Sequence, residues 1–313
     1  MNIEMKVCGE YNLVITRADG TITETGWFDN LILDLGLDYM GTGTMDQSGN
    51  TFNPPMVANC QVGTGSSTPL VTQTGLDARV AGTSFNGFNT PYANTPRTVS
   101  PYEFLTTFTF PFAQGAVVGD ITEVGVGPSG TASTLFSRAL ILDNGGSPTT
   151  VSLISIDQLT VYYRIKLYTP LTDFTGSVII SGDTYNYTGR QAGATNGGNM
   201  SWHLCGYIVS SYGITAYAAG STLGAITGYP TGAQALLGNT GTVTYSAYVP
   251  GTHYRDFTVS GGTTGGNVAG GIQALLIRTI GDALQYQYIL DTPIPKDNTK
   301  TLAITVRVSW SRI

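Results

Sequence analysis

In 313 residues this chain carries 41 glycines and 18 tyrosines, yet only 11% of its residues are charged, less than half the density of an ordinary soluble domain. Four lysines and five glutamates are too few for a coiled coil or a helix-rich fold, glycine without a three-residue period excludes collagen, and a 41% hydrophobic fraction excludes a disordered polar linker. The net charge of -6, with ten arginines scattered singly, leaves no basic stripe to neutralise phosphates, so nucleic acid is not an expected partner.

The first residues, MNIEMKVCGEYNLVI, alternate charged and apolar positions instead of forming the continuous apolar core of a secretory signal. No apolar run approaches the ~20 residues that cross a bilayer. The expectation is a chain made and folded in a cytoplasm, without membrane insertion.

Tyr11–Thr16 and Thr21–Thr25 alternate around the turn Arg17-Ala-Asp-Gly20 and predict a β-hairpin. Asn30 is placed to cap a helix over Leu31–Met40, with Leu31, Ile32, Leu35 and Tyr39 as the apolar positions of one face and Gly41 as its stop, a plug for one end of a β-sandwich or barrel. Residues 41 to 55 are small, polar and glycine-rich, which marks an exposed loop. Cys60-Gln-Val then reads as a strand entering the turn Gly63-Thr-Gly-Ser-Ser67, and Thr68-Pro69 predicts a helical turn over 69–76. Gly63–Ser67 lacks the GKS/T of a phosphate loop, and no long helix follows, so it is read as a structural turn.

Residues 102–112 alternate aromatic with polar positions as a half-buried strand does. Ile121–Val126, Thr134–Leu142, Thr150–Ile156 and Gln158–Tyr168 are further β-branched or aromatic runs, separated by turns such as Gly127-Pro128 and Asp143-Asn-Gly-Gly146. Beyond Tyr168 the character changes to Gly, Thr, Ser and Tyr, with short strands expected at 177–181, 184–188, 206–209, 242–249 and 274–277. The run from Leu302 to Arg312 alternates again and is expected to close the first domain in a sheet. The predicted fold is all-β: an antiparallel β-sandwich or barrel-like domain over 1–172 plus 291–313, with one short N-terminal helix, and a second, loop-rich β lobe over 173–290, either inserted or continuous with the first.

Catalytic equipment is sparse. Cys8, Cys60 and Cys205 have no CxxC spacing and are read as small buried hydrophobes, which implies neither disulfide nor zinc. His203 and His253 sit in no HExxH or other catalytic arrangement. Asp120 and Glu123 are the nearest carboxylate pair for glycoside hydrolysis, but most acids of this chain are turn formers, and Asp143 is read as one rather than as part of a calcium loop. No cofactor, no metal and no enzymatic activity are expected. The tyrosine excess remains. Tyr185, Tyr187, Tyr212, Tyr217, Tyr286 and Tyr288 form clusters that suit either a partner or receptor surface or packing over a sheet.

Several blocks occur in a telling order: Trp27-Phe-Asp-Asn-Leu-Ile-Leu-Asp-Leu-Gly-Leu-Asp38, Cys60-Gln-Val-Gly-Thr-Gly65, Ile121-Thr-Glu-Val-Gly-Val-Gly127, Leu135-Phe-Ser-Arg-Ala-Leu-Ile141, Gln158-Leu-Thr-Val-Tyr-Tyr-Arg164, Pro293–Asn298 and Trp310-Ser-Arg312. Together they span nearly the whole chain and resemble virion structural proteins of tailed bacteriophages, a loosely defined group of tail, tail-fibre, collar and sheath components. The resemblance implies an all-β subunit in the virion tail, assembled in the bacterial host cytoplasm as a homo-oligomer, either a ring or a trimer, beside other tail proteins. The alternative it leaves open is a receptor-binding fibre protein whose partner is a glycan or protein of the bacterial surface.

Overall fold

The computed structural model describes residues 1–42, 44–45, 52–53, 56–84, 103–131, 133–170, 172–193, 213–238, 243–279 and 284–313. In chain order the elements are β1 (Asn2–Thr16), β2 (Ile22–Glu24), β3 (Phe28–Asp29), β4 (Leu31–Ile32), α1 (Asp34–Thr42), β5 (Thr44–Met45), β6 (Phe52–Asn53), β7 (Asn59–Gly63), β8 (Arg79–Ser84), β9 (Glu103–Pro111), β10 (Gly119–Ile121), β11 (Glu123–Gly127) and β12 (Ser137–Leu140). They continue as β13 (Val151–Leu153), β14 (Gln158–Tyr168), β15 (Phe174–Ile180), β16 (Asp183–Gln191), β17 (Ile214–Ala218), β18 (Gln234–Gly238), β19 (Val243–Tyr245), β20 (Tyr254–Gly261), β21 (Ile272–Thr279), β22 (Leu284–Ile294) and β23 (Leu302–Arg312). The fold is all-β, as expected, and its sheets include a curled half-barrel.

The largest sheet runs β19-β20-β23-β1-β14-β9, with β2 and β3 also paired to β1. Its axis is β1, whose strict alternation explains the charged-apolar pattern at the start of the sequence. Ile3, Met5, Val7, Tyr11, Leu13 and Ile15 are buried, while Asn2, Glu4, Lys6 and Thr16 face outward. On one side β1 pairs antiparallel with β14 from Lys6↔Tyr168 to Thr16↔Gln158, and on the other it pairs in parallel with β23 over Asn2–Val7. Beside the two-stranded pairs β10-β13 and β5-β6 there are two further sheets among the described residues. One is β4-β12-β11-β7-β8, the other β15-β16-β22-β21-β17-β18, and a single cluster of buried apolar side chains draws on these two and on the large sheet. This is a sandwich in which one long sheet faces two shorter ones.

Glycine and aromatic residues are used together in these sheets. The Tyr163 ring lies across Gly9, Tyr187 across its cross-strand partner Gly176, and both Phe174 and Tyr288 across Gly189. A glycine leaves a bare stretch of backbone that an aromatic ring on the neighbouring strand covers, restoring apolar contact that the glycine lacks.

Several expectations are corrected. The helix begins at Asp34, not Leu31, because Leu31 and Ile32 are taken as β4 by pairing with Ser137 and Arg138. It does fill an end of the core, through Leu37 and Met40, and the Trp310 indole donates to the Leu37 carbonyl at 2.8 Å. No helix forms over 69–76: one turn closes there, Gln73 N to Leu70 O at 3.0 Å, and other main-chain groups bond outward, Asp34 N donating to Val71 O and Leu135 N to Thr74 O. Most of the 41–55 loop and the strand expected at 206–209 lie outside the described residues. Within residues 173–290, β20 pairs along its whole length with β23 in the large sheet, and β22 runs across the 290/291 boundary. The hairpin at 11–25, the strands at 60–62, 103–111 and 158–168, and the closing strand at 302–312 match the sequence reading.

On the outer face of the large sheet, Glu10 receives hydrogen bonds from both Arg164 and Lys166, whose own neighbour Trp27 lies beneath the Arg164 guanidinium at 3.9 Å. Burial pushes the Glu10 carboxyl up, but the bonds from Lys166 and Arg164 outweigh it and hold the group below its ordinary range. A carboxylate with a depressed folded-state pKa adds stability that is complete above the unfolded value of about 4.3 and is lost as the pH falls through that range. Glu10→Gln is therefore expected to be less stable than the wild type at pH 7, with the difference shrinking toward pH 3. Urea midpoints at pH 7, 5 and 3.5 check this; a difference that does not change with pH would show that the carboxylate's charge is not what matters.

Candidate functional site

Among the described residues the tyrosines of these clusters are turned inward. Tyr185, Tyr187, Tyr217, Tyr286 and Tyr288 are buried, and Tyr212 lies outside the described residues. Strand alternation turns Tyr185, Tyr187, Tyr286 and Tyr288 to the core side of the six-stranded sheet, while Tyr217 packs on its other side with Ala192, Ala274 and Leu276. Two of the hydroxyls reach the start of β1, where Asn2 N donates to the Tyr187 hydroxyl at 3.3 Å and the Tyr288 hydroxyl donates to Asn2 O at 3.0 Å. Their polar ends are thus used to tie that sheet to β1.

Asp120 and Glu123 sit in unlike surroundings. Asp120 lies at an exposed position and accepts from the Ser152 hydroxyl at 2.6 Å, whereas Glu123 has no exposed side-chain surface. Glu123 accepts main-chain N–H bonds from Gly65 at 2.9 Å, Ala78 at 2.8 Å and Asp77 at 3.1 Å, and it pairs with Arg138, equally buried, at 2.8 Å. Arg138 continues to Asp77 at 2.7 Å and to Gln73 at 2.7 Å. Asp77 in turn accepts from the Ser67 hydroxyl, which is the main cause of a carboxyl pKa below the ordinary range. The Gly63–Ser67 turn contributes one main-chain N–H, that of Gly65, to an anion that is the protein's own Glu123, and Asp77 and Ala78 contribute the other two. A Cβ on Gly65 would collide with that carboxylate, which accounts for glycine there. The loop from Thr64 to Ala78 has no regular structure and is held in place by this network.

A cleft of about 770 Å³ opens where β1, β23 and the end of β14 meet the 252–253 turn, with Glu4, Lys6, Tyr168, His253, Ser309 and Ile313 on its walls. His253 holds a left-handed backbone at φ 51, strained for a residue with a side chain, and its carbonyl accepts from Trp310 N. Its buried Nε2 has no hydrogen-bond partner among the described residues and lies 3.7 Å from Asp38 Oδ1, too far for a bond, and that oxygen accepts from the Tyr248 hydroxyl and Gly251 N. Here a histidine packs beside an occupied carboxylate. His203 and Cys205 lie outside the described residues, Cys60 is buried as expected, and Cys8 is half-buried. Among the described residues no group of three or more His, Cys, Asp or Glu is arranged to hold a metal ion.

Apolar side chains are exposed elsewhere. Val118, Ile154 and Ile156 project from two turns that are bonded together, Gly115 N to Asp157 O and Gln114 Nε2 to Ile156 O. Neighbouring apolar side chains left in water on turns mark a contact surface better than scattered ones do.

Removing one partner of a buried ion pair strands the other charge, at a cost of about 3–5 kcal/mol. Arg138→Met is expected to lower the unfolding free energy by that amount in urea titration, and Glu123→Gln together with Arg138→Met to restore part of it. A loss under about 1 kcal/mol for the single variant would mean that the loop is held by other contacts. In comparisons with known proteins, no family model, no curated protein and no solved structure matches the chain.

Proposed function

We propose that the chain is a structural subunit of a bacteriophage tail, a collar, sleeve or fibre-attachment component that assembles in several copies on the virion. The observation that carries this reading is the way the resembling blocks come together. Four of them supply β4, β7, β11 and β12, neighbours in one sheet, and three of those four meet at the Gly65, Glu123 and Arg138 network. The first block is also joined to the last, through Arg312 bonded to Asp34 and the Trp310 indole on Leu37 O. Blocks distant in sequence therefore form one structural unit, as expected if the resemblance concerns a whole fold and not chance short matches.

The low charge and the apolar turns at 118 and 154–156 support a surface that works against other subunits. The receptor-binding alternative drew on the tyrosine clusters, and the five described ones are occupied in packing. Antibodies raised against the purified protein are expected to decorate a fixed position along the tail in negative-stain micrographs of virions. Virions that carry no label, with no trace of the protein in their mass spectra, would overturn the assignment. Labelling confined to fibre tips, with the free protein blocking adsorption to cells, would favour the receptor reading instead.

A further inference from the structure

β15 is an edge strand without the usual protection. Natural sheet edges carry charges, prolines or bulges, or stay very short, because unpaired main-chain groups recruit other strands. Among the described residues the other edges of the three larger sheets follow that rule: β4 has two residues and β19 three, β18 joins β17 across a register shift, β8 begins at Arg79 and has a register shift, and β9 ends at Pro111. β15 reads Phe-Thr-Gly-Ser-Val-Ile-Ile, uncharged and without proline, and keeps register with β16 through seven pairs.

The pairing fixes which groups are free. Ser181 at φ 54 and Gly182 at φ 93 form a two-residue left-handed turn closed by Ile180↔Asp183. The closing pair of such a hairpin exchanges both main-chain hydrogen bonds, and bonded pairs then alternate along the strands. Phe174, Gly176, Val178 and Ile180 thus bond to β16, while the N–H and C=O groups of Thr175, Ser177 and Ile179 point to the open side, where no hydrogen bond from a described residue reaches them. On the core side the apolar row of Phe174, Val178 and Ile180 is only half-buried although it packs against the main core. A groove of about 460 Å³ runs along the first half of this edge, between Phe174–Ser177 and the side formed by Asn2, Glu4 and Pro170. On the outer side Ile179 is 71% exposed.

We propose that β15 is the contact between two copies of this chain, its strands antiparallel about a twofold axis through Ser177. The strand is self-complementary in this register. Ser177 opposes Ser177 of the second copy and Thr175 opposes Ile179, so all the free main-chain groups are matched in about six hydrogen bonds. On the core side Phe174 meets Ile180 and Gly176 meets Val178, which brings each copy's half-buried Val178 and Ile180 toward the other's groove. The axis stands perpendicular to the sheet, so both core faces stay on one side and the two six-stranded sheets become one. An isologous contact of this kind closes on itself and makes a pair, not an open fibre.

The contact rests on the assembly reading only in requiring that copies meet, and the test separates the two. The wild type is expected to sediment at twice the 33.0 kDa chain mass at micromolar concentration. Ile179→Lys, at an exposed position that the fold does not depend on, is expected to raise the dimer dissociation constant at least about tenfold while leaving the thermal unfolding of the chain unchanged. Ser177→Cys places two thiols across the axis at a Cα separation of about 5.5 Å, within disulfide range, and is expected to give a cross-linked dimer under mild oxidation, whereas the exposed control Ile22→Cys is not. A wild type that self-associates but is indifferent to Ile179→Lys and gives no Ser177→Cys cross-link would overturn the β15 contact and leave assembly standing. A monomer at 100-fold higher concentration would overturn both.

Discussion

The pairing of β1 with neighbours from opposite ends of the chain is the constraint on which the rest of the structure depends. Its inward residues from Ile3 to Ile15 line the core continuously, and its two flanks are filled by β14 and β23, so the strand belongs to both halves of the sandwich. Two of the ties that make the second half part of the same body are attached there: β20 through β23, and the six-stranded sheet through the Tyr187 and Tyr288 hydroxyls on Asn2. A strand buried on one face along fifteen residues has only one workable register, since a slip by one residue would turn Glu4, Lys6 and Glu10 into the core.

Around that axis the scarcity of charge is balanced by a few well-placed ionic contacts. Some charged side chains pair on the outer face of the large sheet, as with Glu10, Arg164 and Lys166, some pair in exposed turns, as with Asp297 and Lys300, and Glu123 and Arg138 are sealed and bonded to one another. The sealed pair does not replace hydrophobic packing; it fixes an irregular loop for which the sequence provides no core. Glycine has a comparable role beside aromatic rings. At Gly9, Gly176 and Gly189 it makes room for a tyrosine or phenylalanine from the next strand, and at Gly65 for a carboxylate.

Much of this architecture was legible in the residues. Alternation exposed β9, β14 and β23 almost to the residue; in β14 and β23 a buried face alternates with a more open one. The helix start was misplaced because Leu31 and Ile32 satisfy a helical period as well as a strand pairing, and only the presence of Ser137 and Arg138 across from them decides between the two. β17 escaped notice since all five of its residues are buried, so that it shows no alternation. The tyrosines were visible as clusters, yet side-chain chemistry alone cannot tell a solvated face from a core face when both alternate. Glu123 could be singled out as an acid beside a strand, but its role depends on amides from residues 65, 77 and 78, whose approach is set by the folding of a loop without periodic signal.

The parallel ladder between β1 and β23 also bears on how the chain acquires its shape. Contacts such as the Met1 amine on Thr305 O join positions 304 apart, close to the greatest loop closure this length allows. At ribosomal speeds of about 5–20 residues per second, β1 would wait on the order of 15–60 s for its partner to be synthesised. Until then one flank of Asn2–Val7 has no strand to hold it and Ile3, Met5 and Val7 lack half of their cover. The alternating charges at Glu4 and Lys6 are suited to that interval, since they keep the waiting strand soluble and discourage pairing with a nascent neighbour.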